Sequence, residues 1–376
     1  MDGDLKKKIL IVSASFYPDK SPRSIRTTEL VREFARLGHE VHLLTKKNDE
    51  IHVSFEKKYG VTIINFGPLK FPRIKLHDDD RFFLHYLKRV LRRGLNLFFE
   101  YPEIELMYRV KRALKSATGY DLIISIAVPY PIHWGVAWSR DENNLIAKTW
   151  VADCGDPYFG HENDSFKVPF YFSFIEKWFC RKTDYLSIPF EGAKAAYFKE
   201  FHHKIRIIPQ GLSFPVKTDN NSYVKNNVIT FAYFGNIESY QHYALPFLEK
   251  LNSIRQSFRF IVYTRREDFF KSNLDDRTLK KCTLRDYVDR DVLLDKLQCV
   301  DFLVHFPYKK GTQKSLKLVD YSFLGKPILE YKNDPYSEQA LMEFLNFNFE
   351  KRREFEDYTS FDINNVCKQF LELIHA

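Results

Sequence analysis

The sequence predicts an α/β protein of two successive domains, each a parallel sheet flanked by helices. Three observations point there. The chain has 376 residues, too many for one ordinary hydrophobic core and enough for two. Strand and helix patterns alternate from the first apolar run onward, the signature of βαβ units. A polar, turn-rich stretch, "VKTDNNSYVKNN" (216–227), interrupts that series, and a second series follows it.

The first series begins with "KKKILIVSASFYP", a strand running into a loop. "SIRTTELVREFARLGHEVHLLT" reads as a helix, a glycine stop and a second strand. "VTIINF" (61–66) is a further strand, and "IELMYRVKRALKSATGYDLIISIA" a helix and a strand. "LIAKTWVADCGDPY" is a strand ending in acids. "FIEKWFCRKTDYLSIPFEGAKAAYFKEF" gives helix, strand and helix, and "KIRIIPQGLSFP" closes the half near residue 215. No G-x-G-x-x-G follows the first strand, which argues against a dinucleotide site.

After the linker, "VITFAYFGNI" is a strand and turn, "YALPFLEKLNSI" a helix and "FRFIVYT" a strand. "RDVLLDKLQCV" is a helix, "DFLVHF" a buried strand and "DINNVCKQFLELIHA" a terminal helix. The most informative unit is "SLKLVDYSFLGKPILEY" (315–331). Ser315 reads as an N-cap, and Leu316, Val319 and Phe323 as an apolar stripe. Gly325 suits a left-handed helix end, and Pro327 blocks continuation. Lys317 falls in the first turn with Asp320 one turn on. A first-turn lysine opposes the helix dipole, which points to an anion such as phosphate. Asp320 is suited to a ribose hydroxyl. A solvated Lys317–Asp320 surface pair is the alternative.

Composition excludes several classes. With 44% apolar and 16% aromatic residues the chain can bury large cores, yet no apolar run approaches the ~20 residues of a membrane span. The N-terminus lacks a small-residue cleavage site, so no signal peptide is expected. The five cysteines, Cys154, Cys180, Cys282, Cys299 and Cys367, form no C-x-x-C, which disfavours zinc and disulfides and fits a cytoplasmic protein. "DDD" (78–80) mimics a metal-binding D-x-D but sits in a polar loop, so neither an essential metal nor another cofactor is expected.

The formal charge of +9 is uneven: residues 81–115 carry nine Lys/Arg against three acids. Such charge seeks an anionic partner. In "RFFLHYLKRVLRRGLNLFF" (81–99), Phe82, Phe83, Tyr86, Leu87, Val90 and Leu91 share one face. Arg81, His85, Lys88, Arg89, Arg92 and Arg93 share the other. One reading is an interfacial helix on anionic lipid, peripheral at the inner face of the plasma membrane. The other is a core-packed helix with a basic solvent face. No nucleic-acid-binding motif accompanies the charge.

The order of these segments resembles the family-4-like glycosyltransferases of the GT-B fold over nearly the whole chain. The carriers are "ILIVSASFYP…R…ELVREFARLGHEVHLLT", "GYDLIISIAVPYPIH", "KTWVADCGDPY", "KIRIIPQGLSFP" and "SLKLVDYSFLGKPIL". The resemblance implies two Rossmann-like domains facing each other across a cleft. Residues 1–215 would bind the acceptor, with helix 361–376 able to pack back on them. Residues 228–360 would bind a nucleotide-sugar donor. It implies transfer of the sugar to an acceptor hydroxyl, a lipid-linked saccharide of bacterial surface-polysaccharide synthesis. Lys317 would lie near the donor diphosphate and Asp320 at the ribose.

The chain departs from that family in two places. Many members carry two glutamates here; the second is Asp320 and the first is Thr312. The glycine turn "FGNIESYQ" holds Gly235 and Asn236 without the usual basic residue; Arg265 and Arg266, following "FIVYT", are the candidate substitutes, with an exposed loop pair as the alternative. In the acceptor half, Asp156 is the candidate base and Asp153 the second choice, since a carboxylate raised by burial can deprotonate a hydroxyl; His133 is a third group facing the same cleft, with a packed or capping histidine the favoured reading. Asp156 before Pro157 also suits a plain turn cap. A catalytically silent binding module and a nucleotide-sugar epimerase are the alternative functions.

Overall fold

The computed structural model describes residues 6–76, 82–141, 144–160, 168–215, 226–307, 315 and 317–374. The chain divides into two compact units, residues 1–213 with 360–376, and residues 214–359. The expected linker at 216–227 lies mostly outside the described residues, as do Arg81, Thr312, Leu316 and the 78–80 acids.

The first unit runs β1 (Lys8–Ser13), α1 (Pro22–Arg36), β2 (Glu40–Thr45), α2 (Asp49–Tyr59), β3 (Thr62–Asn65), α3 (Phe82–Phe99) and α4 (Glu105–Ala113). It continues with β4 (Tyr120–Ala127), α5 (Pro131–Ser139), β5 (Ala147–Cys154), α6 (Phe172–Lys182), β6 (Tyr185–Ile188) and β7 (Ile205–Ile207). Its strands form a seven-stranded parallel sheet in the order β3-β2-β1-β4-β5-β6-β7. Both faces are covered, so the strands read as continuous apolar runs. Alternation then divides each strand: Leu10, Ile123 and Trp150 join the core under α4, α5 and α6, and Ile9, Ile124 and Val151 join the core under α1 and α2.

The second unit runs β8 (Thr230–Phe234), α7 (Gln241–Ser253), β9 (Arg259–Tyr263), α8 (Glu267–Asn273), α9 (Asp276–Leu279) and β10 (Cys282–Arg285). It ends with α10 (Arg290–Leu297), β11 (Phe302–His305), α11 (Lys317–Leu324), β12 (Ile328–Glu330) and α12 (Pro335–Leu345). Its five parallel strands are ordered β10-β9-β8-β11-β12. The chain then re-enters the first unit as α13 (Ile363–Glu372). Leu212 and Ile363 exchange backbone contacts through Leu212 N–H to Phe361 O (2.8 Å) and Ile363 N–H to Leu212 O (3.0 Å). Val366, Cys367 and Phe370 complete the core with Phe34 of α1.

Some elements depart from the sequence reading. "EGAKAAYFKEF" forms two 3-10 turns, Glu191–Ala196 and Lys199–Lys204, instead of a helix. Buried Tyr197 separates them, donating its hydroxyl to the Cys154 carbonyl at 3.2 Å. Helix α5 escaped notice because Pro131 through Ala137 are all buried, leaving no polar face to give a period. Helix α12 carried readable signals, an Asp334–Ser337 capping box and Pro335 in its first turn.

A buried ion pair ties three elements of the first unit at the carboxyl ends of its central strands. Arg26 of α1 donates from Nε and Nη2 to the two oxygens of Asp153 on β5 (3.0 and 2.9 Å). Ser187 of β6 adds a 2.7 Å bond, and Arg26 Nη1 donates to the Pro209 carbonyl. Both ionised side chains are almost fully buried. Replacing Arg26 with Met would strand a buried carboxylate, so we expect Arg26→Met to cost about 3–5 kcal/mol. Asp153→Asn with Arg26→Met should recover part of it. Urea unfolding of the two variants checks this; an undiminished midpoint in Arg26→Met would contradict the assignment.

Candidate functional site

In the second unit, Lys317 opens α11 at the carboxyl side of the sheet. Its Nζ donates to Tyr233 Oη at 3.0 Å and lies 4.6 and 4.7 Å from the centres of the Tyr233 and Tyr240 rings. Among the described residues it has no carboxylate partner, and burial lowers its pKa to about 7. The stem crosses Gly235, which follows β8 at φ +110°: a Cβ there would lie 2.5 Å from Lys317 Cε. Backbone sign therefore favours glycine at 235, and a side chain there would also displace the end of Lys317. Asn236 shapes the same turn: its Oδ1 accepts from Glu238 N–H (3.0 Å), and its carbonyl accepts from Tyr233 Oη (2.9 Å).

Asp320 is buried and does not pair with Lys317. Its Oδ1 accepts from Arg290 Nε and Nη2 of α10 at 2.9 and 2.6 Å. Burial lifts the carboxyl above its usual range even so, with Arg290 opposing. The solvated Lys317–Asp320 surface pair is thus absent. Ser315 enters through its carbonyl, which accepts from Leu318 N–H at 3.1 Å, rather than as the expected side-chain cap. Gly325 ends α11 at φ +68°, as the sequence suggested.

The basic substitutes proposed for the glycine turn are engaged elsewhere. Arg265 is exposed, with its guanidinium 5.2 Å from the Tyr287 ring centre. Arg266 does reach the turn, but pairs with Glu238 (2.8 Å) and Asp268 (2.9 Å). Sequence reading missed Arg290, Tyr233 and Tyr240. Arg290 carried the signal used for Lys317, a cation in the first turn of a helix, and was not weighed.

The acceptor-side candidates fare unevenly. Asp153 is locked by Arg26 and Ser187, which hold its carboxyl below the usual range despite burial. A carboxylate with both oxygens so occupied is a structural anchor, not a base. His133 is fully buried, stacks on Phe179 at 5.4 Å, and burial lowers its pKa to about 3. Ser125 Oγ accepts from Trp150 Nε1–H (2.8 Å) and lies 2.7 Å from His133 Nδ1, while Nε2 lies 3.6 Å from Cys154 Sγ. With both ring nitrogens engaged inside the core, His133 is a packed imidazole. Asp156 does border a cavity, yet its side chain is 52% exposed and pairs with Arg23 at 2.9 Å. The desolvated carboxylate that the base role required is therefore not at 156.

That cavity, about 1080 Å³, lies wholly within the first unit and is partly walled by Asn96, Leu97 and Glu100 at the end of α3. Glu100 sits at φ +51° and accepts from Tyr158 Oη at 2.9 Å. Burial raises its pKa to about 7. Helix α3 itself is not core-packed. Phe83, Leu87, Leu91 and Phe99 are 76, 51, 51 and 63% exposed, alongside the exposed basic residues Arg89, Arg92 and Arg93 and the partly buried Lys88. Among the described residues no helix is long and apolar enough to cross a membrane, and no His/Cys/Asp/Glu cluster suits a metal.

No protein-family model matches the sequence, and no curated protein does. Solved structures do match. A glycosyltransferase from Rickettsia africae is similar at TM-score 0.60 and 11% identity, covering 98% of each chain. TarM is similar at 0.60 and 9%, over 100% of each chain. UDP-GlcNAc 2-epimerase from Methanocaldococcus jannaschii is similar at 0.54 and 12%, over 98% of this chain and 99% of the other. The chain therefore has the GT-B fold, two Rossmann-like α/β units, which transferases and epimerases share.

Glu176 of α6 offers a check on the burial assigned to the first unit. It is 1% exposed, takes among the described residues only the Phe159 N–H at 3.3 Å, and its pKa rises to about 7. A carboxyl raised in the folded state binds its proton more tightly there than in the unfolded chain. Its contribution is thus complete below about pH 4.5 and declines as pH rises towards 7. Glu176→Gln removes that decline. Its stability relative to wild type should rise by about 3 kcal/mol between pH 5 and 8, readable as several degrees in thermal melts. A constant difference would show that Glu176 does not titrate in this range.

Proposed function

We propose that the protein is a glycosyltransferase that moves a sugar from a nucleotide-sugar to an acceptor hydroxyl. The observation that carries this reading is Lys317: a partly buried ammonium over two tyrosine rings, with no carboxylate partner among the described residues, at the start of α11. A cation placed so is costly until an anion joins it, and the donor diphosphate is that anion. Gly235 lets the lysine stem and the phosphates approach the backbone closely. The N–H groups of the first turn of α11 add to the anion site. Asp320, oriented by Arg290, accepts from the ribose hydroxyls. During transfer Lys317 stabilises charge that develops on the departing diphosphate, which is where a preorganised cation helps most. The GT-B fold supports this reading, and an S. aureus TarM variant of that fold was solved with UDP.

The acceptor is proposed to be a lipid-linked saccharide of surface-polysaccharide synthesis, used in the cytoplasm at the membrane face. What supports this is α3, which exposes apolar and basic side chains together. Each Lys/Arg near an anionic surface contributes about 1 kcal/mol, and the uncovered leucines and phenylalanines add insertion. No essential metal is invoked.

Incubation with a panel of nucleotide-sugars and a lipid extract tests the transferase reading through release of nucleoside diphosphate and a glycosylated lipid. Epimerised nucleotide-sugar without acceptor would instead support an epimerase, and no turnover a silent module. The lysine gives a sharper signature. Anion binding must return the proton that burial expels, so nucleoside diphosphate affinity should be full below about pH 7. It should fall up to tenfold per unit above it. Titration calorimetry from pH 6.5 to 8.5 should show this for wild type, and a weak, pH-independent affinity over pH 7–8.5 in Lys317→Met. Identical profiles would remove Lys317 from the donor site.

The membrane reading predicts that wild type co-sediments with anionic vesicles at both low and high salt, because insertion is not screened. Leu87→Asp with Leu91→Asp should lower recovery about tenfold at high salt. Arg89→Glu with Arg92→Glu should act mainly at low salt. Equal recovery of all three proteins would leave α3 with no role at lipid.

A further inference from the structure

The cavity at the end of α3 has a wall chemistry that narrows its occupant. The aromatic residues Phe66, Phe71, Tyr130 and Tyr158 line it. Three cations, Lys46, Arg73 and Lys75, and three carboxylates, Glu100, Glu103 and Asp156, also border it. These charges do not cancel evenly. Asp156 is held by Arg23 at 2.9 Å, and Arg73 by Glu103 at 3.7 Å. Among the described residues Lys46 and Lys75 have no ion pair, and both are exposed. Among the described residues the Glu100 carboxyl has only Tyr158 Oη, on one oxygen at 2.9 Å.

The cavity therefore combines an anion-seeking edge, aromatic residues for a sugar and one carboxyl able to accept hydroxyl protons. Its volume of about 1080 Å³ lies just above the ~300–1,000 Å³ range of small-molecule sites. It is too large for a lone phosphate.

We propose that this cavity binds a glycosyl phosphate, with Lys46 and Lys75 at the phosphoryl group and the Glu100–Tyr158 pair at the sugar hydroxyls. This deepens the transferase reading and rests on it for biological meaning: the glycosyl phosphate is the head of the acceptor. The Tyr158 hydroxyl occupies one Glu100 oxygen at 2.9 Å, which leaves the other oxygen to accept a sugar hydroxyl when an occupant displaces water. Its place directly after α3 puts the sugar-contacting carboxyl at the end of the helix that carries the exposed apolar residues.

The test is direct binding, independent of donor and turnover. Saturation-transfer NMR would use glucose, galactose and N-acetylglucosamine 1-phosphates, the free sugars, and inorganic phosphate. The full chain would be compared with Lys317→Met, so that capture by the proposed donor site is not counted. At least one sugar phosphate should bind both proteins equally. The matching free sugar and inorganic phosphate should bind at least tenfold more weakly. Glu100→Ala and, separately, Lys46→Glu with Lys75→Glu should each weaken the sugar phosphate tenfold or more. The lysine pair is exposed, so its loss cannot be ascribed to unfolding. Binding unchanged in both variants overturns the proposal. So does inorganic phosphate binding as tightly as the sugar phosphate, or no saturable binding of any sugar phosphate to Lys317→Met. Loss of nucleotide affinity alone bears on the donor site and leaves this proposal standing.

Discussion

The first unit is organised around the Arg26–Asp153 pair. A seven-stranded parallel sheet must bring its strand ends out at one edge, and there backbone and side-chain polarity concentrate. Asp153 ends a strand with the burial of a core residue. A carboxylate in that place is tolerable only with a partner of matched geometry, and the forked guanidinium of Arg26 supplies it. The pair then fixes α1 against β5, and Ser187 and Pro209 extend the tie to β6 and to the segment that follows β7. Phe370 of α13 lies 5.3 Å below the same guanidinium. The return of the chain to this unit is thus sealed over the ion pair.

A contrast runs through the polar groups. Arg26, Asp153, His133 and Ser125 are buried and fully partnered, which is how interior polarity is made affordable in structural terms. Lys317, Glu100 and Glu176 are buried or nearly so with weak partners or none that neutralise them, and burial moves all three pKa values to about 7. Groups of the second kind cost stability in the free protein. Lys317 and Glu100 sit where a ligand would relieve that cost, one beside the Gly235 turn and the other on the wall of a cavity. Glu176 has no such access and reads as a strain in the core of the first unit.

Helix α3 shows why an amphipathic pattern does not by itself say what it faces. Its apolar residues at 83, 87 and 91 share a face at helical spacing, as core helices do. Whether that face meets the sheet depends on where the neighbouring helices already cover it. The two cores of this unit, under α4, α5 and α6 and under α1, α2 and α13, include no described residue of α3. Its apolar side remains exposed, next to a basic one.

The sequence by itself determined the strand–helix alternation, the two-unit division of the chain and the Gly235, Lys317 and Gly325 positions. These follow from local physics: apolar runs, glycine conformations and helix ends act over a few residues. Tertiary structure decided which charged groups are partnered. Asp153 reads from its sequence neighbours as a second candidate base, yet its partner Arg26 lies 127 residues away along the chain, whereas His133 is the packed histidine that its sequence context favoured. The alternative of a Lys317–Asp320 surface pair, which spacing alone allows, is absent, and Asp320 is held by Arg290 from another helix. Glu100 carried no sequence signal at all, because burial, not spacing, sets the pKa of a lone carboxyl. Burial is a property of the assembled core, and no stretch of sequence contains it.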